Sequence, residues 1–166
     1  MSAYRFSIRA LAAVALASVI ACGGDSTGPG DDDDDDDNPI VLANGSMSAR
    51  IDGAQWRASA AIAATNNNGL VAIAGTDGTG RTIAFGVIAG GTGTFTTNST
   101  SGTNFLIAEG GASWHALLTT GNGSITFTTL TATRAVGSFS FTAPPVGGTT
   151  ASGTRNVTQG AFDVTF

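Results

Sequence analysis

Apolar and polar residues alternate along most of the chain after residue 45, as expected of β-strands with one buried face. The alternation is clearest in SMSARI (46–51), RTIAFGV (81–87) and AFDVTF (161–166). Turn sequences separate such segments, and Asp52-Gly53 is typical of a β-hairpin. Helical periodicity is missing from this part of the sequence. We therefore predict an all-β domain of about ten short antiparallel strands, arranged as a sandwich or a barrel.

Two apolar segments are expected to form continuous strands. SWHALLTT (113–120) is flanked by glycines and threonines, which favours a strand over a helical turn. In WRASAAIAA (56–64) apolar side chains recur at every second position, so one face should carry Trp56, Ala58, Ala60 and Ile62.

The last two predicted strands carry large apolar side chains. VGSFSFTA (136–143) and AFDVTF (161–166) flank a long loop, PPVGGTTASGT (144–154), and should pair with each other. Val164 is expected to take part in this pairing. We expect one core to receive Phe139, Phe141, Phe162 and Phe166.

The first 21 residues have the pattern of a secretory signal peptide. MSAYRFSIRA (1–10) contains Arg5 and Arg9 but no acidic residue, and LAAVALASVI (11–20) is apolar apart from Ser18. The apolar run is about half the ~20 residues that a membrane-spanning helix needs. We therefore predict that residues 1–21 are a cleaved signal peptide.

The lone cysteine, Cys22, follows this signal directly. VIAC (19–22) resembles the lipobox of bacterial lipoproteins, with Val19 in place of the commoner leucine. The resemblance implies diacylglyceryl transfer to Cys22 and cleavage before it, so that the lipid anchors the protein. Gly23 follows in place of aspartate, which under the enterobacterial sorting rule implies the outer membrane. The alternative is ordinary secretory cleavage after Ala21.

Residues 22–38 form a predicted disordered linker, and the β domain is predicted to span 39–166. The linker contains Asp25 and the run Asp31 to Asp37, whose like charges repel and extend the chain. A solvated spacer is the simplest interpretation. The acidic run also resembles export signals of surface lipoproteins, and a third interpretation is loose Ca²⁺ capture, for which fixed geometry is lacking.

The net charge of −5 describes this linker and not the domain. Residues 38–166 carry five arginines against four carboxylates and no lysine, a net charge of +1. A basic surface able to neutralise many phosphates is therefore not expected, which argues against nucleic-acid binding.

Several segments of the domain are similar to a family of small bacterial lipoproteins. They are RIDGAQWRA (50–58), GTGTF (91–95), SITFTTLTATRAVGSFSFTA (124–143) and VTQGAFDVTF (157–166). These segments contain mainly turns and core aromatics. The resemblance implies a single all-β domain without an assigned function, and it implies no catalytic residues.

Candidate catalytic or metal-binding side chains are few. His115 is the sole histidine and is expected on the face opposite its neighbour Trp114, as a surface or rim side chain. Asp52 and Asp77 lie in predicted turns. A pair of catalytic carboxylates would require Glu109 and Asp163 to meet through strand pairing. We predict no catalytic residues, no metal site and no cofactor.

We therefore expect a lipid-anchored protein of the cell envelope, facing the periplasm or the surface. Its β domain would be a binding or structural module and not an enzyme. The alternative is a small carrier that binds an apolar ligand inside a calycin-like barrel, because inward alanines and glycines would leave room for a cavity.

Overall fold

The computed structural model describes residues 44–166, which form two antiparallel β-sheets. The predicted signal peptide (1–21), Cys22 and the predicted linker (22–38) lie outside the described residues. An all-β fold with antiparallel strands is confirmed, and of the two predicted arrangements the structure shows the sandwich.

Sheet A has six strands. In spatial order these are β2 (Ala54–Arg57), β1 (Gly45–Ile51), β11 (Arg155–Thr165), β10 (Arg134–Ala143), β9 (Asn122–Leu130) and β6 (Gly93–Thr96).

Sheet B has five strands. In spatial order these are β3 (Ala61–Asn67), β4 (Leu70–Thr76), β5 (Thr82–Ile88), β7 (Asn104–Glu109) and β8 (Ala112–Ala116).

Most neighbouring strands are joined by hairpins, as the turn sequences predicted. Asp52 and Gly53 connect β1 to β2 with φ angles of 51° and 85°, a left-handed conformation that suits this turn pair. Four connections depart from the hairpin pattern because the chain changes sheet, namely those from β2 to β3, from β5 to β6, from β6 to β7 and from β8 to β9. The chain leaves sheet B after β5 so that β6 pairs with β9, and β11 returns to pair with β1.

The predicted strand 56–64 is wrong as a single element. The chain ends β2 at Arg57 and starts β3 at Ala61, and these two strands belong to different sheets. Ala58 is buried but Ala60 is exposed, so the expected common face is interrupted. The main-chain N–H groups of Ser59 and Ala60 both donate to the carbonyl of Thr76, which marks the corner.

The predicted strand 113–120 is also shorter than expected. It ends at Ala116, and Leu117 and Leu118 are exposed in the following turn. The loop 144–154 covers the outer edge of β8, where the His115 N–H donates to the Pro144 carbonyl at 3.2 Å. The loop thereby provides a hydrogen-bond partner for the edge strand β8, whose main-chain donors would otherwise be exposed.

Phenylalanine rings fill the space between the sheets. Phe162 lies 5.4 Å from Phe85, 5.6 Å from Phe127 and 6.4 Å from Phe139, measured between ring centroids. These distances are those of favourable aromatic pairs. The predicted burial of Phe139, Phe141 and Phe162 is confirmed, Val164 is buried beside them, and Phe166 is partly buried against the same core.

Inward-facing glycines make room for these rings in sheet A. A Cβ atom on Gly123 would lie 2.7 Å from the Phe105 ring, and one on Gly137 would lie 2.7 Å from the Phe162 ring. A Cβ atom on Gly160 would lie 2.6 Å from the Phe139 ring. Any larger residue at these positions would have to displace a packed ring.

Phe162→Ala should strongly destabilise the domain, because its ring is buried between both sheets. We expect a loss of about 3–5 kcal/mol in the free energy of unfolding. Phe166→Ala is the matched control, since it has the same side chain on the same face but is only partly buried. Chemical denaturation measures both, and an equal or larger loss for Phe166→Ala would contradict this packing.

Candidate functional site

The imidazole of His115 lies on the outer face of β8 and is half-buried. Its Nε2 lies 3.3 Å from the Ser113 hydroxyl. Trp114 is buried on the opposite face, as the alternation predicted. A catalytic imidazole needs a positioned partner such as a carboxylate, and this contact with a neighbouring serine does not supply one.

Glu109 and Asp163 do not form a carboxylate pair. Glu109 ends β7 in sheet B and bonds Arg81 at 2.6 Å. Asp163 lies in β11 of sheet A and makes a bidentate contact with Arg134, at 2.8 and 2.6 Å. The two-carboxylate arrangement of a glycosidase is therefore not formed by these residues.

A charge network joins the two sheets, and sequence reasoning did not find it. The network comprises Asp52, Arg155, Glu109, Arg81 and Asp77. Arg155 bonds Asp52 at 2.8 Å, and its other terminal nitrogen lies 4.0 Å from Glu109. Arg155 starts β11 of sheet A and Asp52 lies in the β1–β2 turn of that sheet, whereas Glu109 ends β7 of sheet B and Arg81 directly precedes β5 of that sheet.

Both aspartates of the network also organise turns. Asp52 accepts the main-chain N–H of Asn156 at 2.8 Å, which ties the β1–β2 hairpin to the start of β11. Asp77 accepts the N–H groups of Thr79 and Arg81 at 2.8 and 2.9 Å, as well as the Thr79 hydroxyl. These are the side-chain-to-backbone bonds that make aspartate a good turn residue.

Trp114 packs against the network. The Arg155 guanidinium carbon lies 4.5 Å from the centroid of the Trp114 ring, within cation–π range. The indole N–H donates to the Gly153 carbonyl at 2.9 Å. Trp114 therefore holds both the loop before β11 and the arginine that starts it.

The pKa values of the network carboxyls are lower than their ordinary values. For Glu109 the main cause is the hydrogen bond from Arg81. For Asp52 partial burial acts most strongly and raises the pKa, but the Asn156 N–H and Arg155 together outweigh it. For Asp77 burial again raises the pKa, and the bonds from Thr79 and Arg81 outweigh it. All three groups are thus ionised at neutral pH.

This network has the chemistry of a structural clamp. Its carboxylates already accept bonds from arginines or turn N–H groups, so none is poised to take a substrate proton. Within residues 44–166 no cluster of three or more histidine, cysteine, aspartate or glutamate side chains could hold a metal ion. That part of the chain also contains no helix long and apolar enough to span a bilayer.

A groove of about 400 Å³ lies at one end of sheet A. Hydroxyl and amide side chains of three strands line it, together with the turn that follows β8. We call it the hydroxyl groove, and its lining includes Thr96, Asn98, Leu118, Asn122, Ser124, Ser140 and Thr142. No charged side chain lines it.

The interior lends no support to a carrier function. The rings of Phe105 and Phe141 stack at 4.7 Å, and further phenylalanines pack around them. The inward glycines that suggested a cavity are covered by these rings. Side chains therefore occupy the space between the sheets, where the carrier hypothesis would place an apolar ligand.

Comparison with known proteins identifies the family. The sequence pattern of a domain of unknown function, DUF6252, matches residues 43–164, and the chain belongs to this family. No curated protein and no solved structure matches the chain. The match confirms one part of the resemblance seen in the sequence, namely that the segments between 50 and 166 belong to a single domain without an assigned function.

The charge network should make the domain sensitive to acid. The pKa values of Glu109 and Asp52 fall below their ordinary values of 4.5 and 3.8 on folding. Their ionisation therefore stabilises the fold above these values, and the stabilisation is lost as pH falls through the lower, folded values. We expect the urea midpoint to stay level near neutral pH and to fall below about pH 4.5.

Glu109→Gln tests whether the ionised Glu109 carboxylate contributes to this dependence of stability on pH. The variant should be less stable than wild type at neutral pH, and the difference should narrow as the pH falls through the range in which wild-type Glu109 becomes protonated. Asp163→Asn is the matched control, since the Arg134–Asp163 pair lies within sheet A and is more exposed. Its effect at neutral pH should be smaller. A loss in Glu109→Gln that is the same at every pH would contradict this assignment.

Proposed function

We propose that this protein is a lipoprotein whose β-sandwich acts as a binding or structural module outside the cytoplasm. Residues 1–21 direct export, lipid on Cys22 anchors the chain, and the acidic segment 22–38 holds the domain away from the membrane. The protein works in the cell envelope, on the outer membrane, facing the periplasm or the surface.

The position of Cys22 carries this proposal. The only thiol of the chain stands directly after a short apolar run and two small or aliphatic residues. Diacylglyceryl transfer requires a cysteine at that point, and a second acyl chain makes such anchoring stable. Cleavage of an ordinary secretory signal after Ala21 would not require a cysteine at position 22.

The design of the domain supports a role in recognition or architecture. The ion pairs Arg81–Glu109, Arg134–Asp163 and Arg155–Asp52 join segments that are 28, 29 and 103 residues apart in sequence. The carboxylates therefore hold the fold together, and His115 contacts the Ser113 hydroxyl. A module of this kind offers surfaces and grooves for contact, with little acid–base chemistry.

The acidic segment suits a spacer. Sixteen residues from Gly23 to Asn38 could reach roughly 50–58 Å when extended. Repulsion between neighbouring aspartates favours extension. The run starts nine residues after Cys22, not beside it, which favours a spacer over a sorting signal.

Cys22→Ala should release the protein from membranes. We expect the variant in the soluble fraction, or as an unprocessed precursor that retains residues 1–21, in a bacterium that processes lipoproteins. Ser26→Ala is the matched control, because it changes one small residue of the same segment and leaves the cysteine. Membrane fractionation with immunoblotting checks both. A Cys22→Ala protein as mature and as membrane-bound as wild type would refute the lipid anchor.

A further inference from the structure

We propose that the hydroxyl groove binds a neutral oligosaccharide. This inference deepens the proposed function, since it names the ligand class of the binding module, and it rests on that function for its biological setting. The groove itself is a feature of the folded domain and is defined by β6, β9, β10 and the turn after β8.

Strand pairing lays hydrogen-bonding side chains out in rows on the outer face of sheet A. Thr96, Ser124 and Ser140 are direct partners across β6, β9 and β10, and Asn122 pairs with Thr142 in the next row. Neighbouring strands are about 4.8 Å apart, and residues two apart on a strand are separated by about 7 Å. The groove floor is thus a regular array of short polar groups.

Part of this array is free to bind a ligand. Among the described residues, the side chains of Asn122, Ser124 and Ser140 have no hydrogen-bond partner. The others are already fixed: Thr96 bonds Asn98 at 2.5 Å, and Thr142 bonds Asn156 at 3.3 Å. Free groups held beside fixed ones form a rigid surface, which limits the entropy lost on binding.

The chemistry of the lining selects the ligand class. Serine and threonine hydroxyls both donate and accept, and the asparagine amide does the same with separate atoms. No charged side chain lines the groove, so its lining does not attract phosphate, sulfate or carboxylate groups. A ligand that presents many neutral hydroxyls at short intervals matches these groups best, and an oligosaccharide has that character.

Leu118 provides the apolar contact that sugar rings need. It lies in the turn after β8, lines the groove and is 67% exposed. Gly121 in the same turn could not carry a side chain without a shift of the main chain, because a Cβ atom there would lie 2.4 Å from the Thr142 carbonyl oxygen. The turn therefore approaches the end of β10 closely, with Leu118 as a wall of the groove.

Saturation-transfer difference NMR on the full chain, purified in detergent from lysates of whole cells, tests the proposal. The probes are neutral hexasaccharides of α-1,4-glucose, β-1,4-glucose, β-1,3-glucose, β-1,4-mannose and β-1,4-N-acetylglucosamine, with hexagalacturonate as the charged comparison. We expect saturation transfer to at least one neutral hexasaccharide and none to hexagalacturonate. A peptide of alternating glycine and serine serves as the probe for a protein ligand.

Two groove variants and one matched control locate the site. Ser140→Lys places a long charged chain on the groove floor, and Leu118→Asp removes the apolar wall. Each should weaken binding by about tenfold or more, through lost hydrogen bonds and contact. Thr165→Lys adds the same charge at an exposed position of the same sheet outside the groove and should bind as wild type does.

Three results would overturn the proposal. They are the absence of transfer to every neutral hexasaccharide in wild type, unchanged binding in both groove variants, and transfer to hexagalacturonate or the peptide alone. Because purified protein is used, these results are independent of where the protein resides. Failure here would leave the lipid anchor standing, and failure of membrane attachment would leave saccharide binding measurable.

Discussion

The sandwich depends on the fit between phenylalanine rings and inward-facing glycines. Gly137 lies beneath the Phe162 ring and Gly160 beneath the Phe139 ring, on adjacent strands of sheet A. The glycines let large rings lie flat against the sheet while the opposite sheet supplies Phe85 and Phe105. Close packing of this kind allows little change in volume at any position. The same fit fills the space between the sheets with aromatic rings.

The charge network lies at one end of this core, where it uses acidic side chains of the domain in structural contacts. Arg155 links Asp52 of sheet A to Glu109 of sheet B while it lies over the Trp114 ring. Exposed ion pairs contribute little singly, but this one is supported by turn hydrogen bonds and an aromatic surface. Acidic groups used in this way hold loops in place. The uncharged outer face of sheet A at the hydroxyl groove is then the surface best suited to recognition.

Local patterns predicted most of the strands, because alternation and turn residues are properties of neighbouring positions. The Asp52-Gly53 hairpin and the burial of Phe139, Phe141 and Phe162 follow from such patterns. The corner between Arg57 and Ala61 was missed, since alanines alternate equally well through a strand and through a change of sheet. The Asp52–Arg155 contact spans 103 residues and arises only from strand pairing. The hydroxyl groove was missed for the same reason, because its rows combine β6, β9 and β10.

We propose that a lipid on Cys22 anchors this sandwich in the cell envelope. Intact-mass spectrometry of the mature protein, extracted from membranes, tests it most directly. We expect a chain that starts at Cys22 and carries the mass of a thioether-linked diacylglyceryl group, with or without an N-acyl chain. A mature chain that starts at Cys22 with a free thiol, or one that retains residues 1–21, would contradict it.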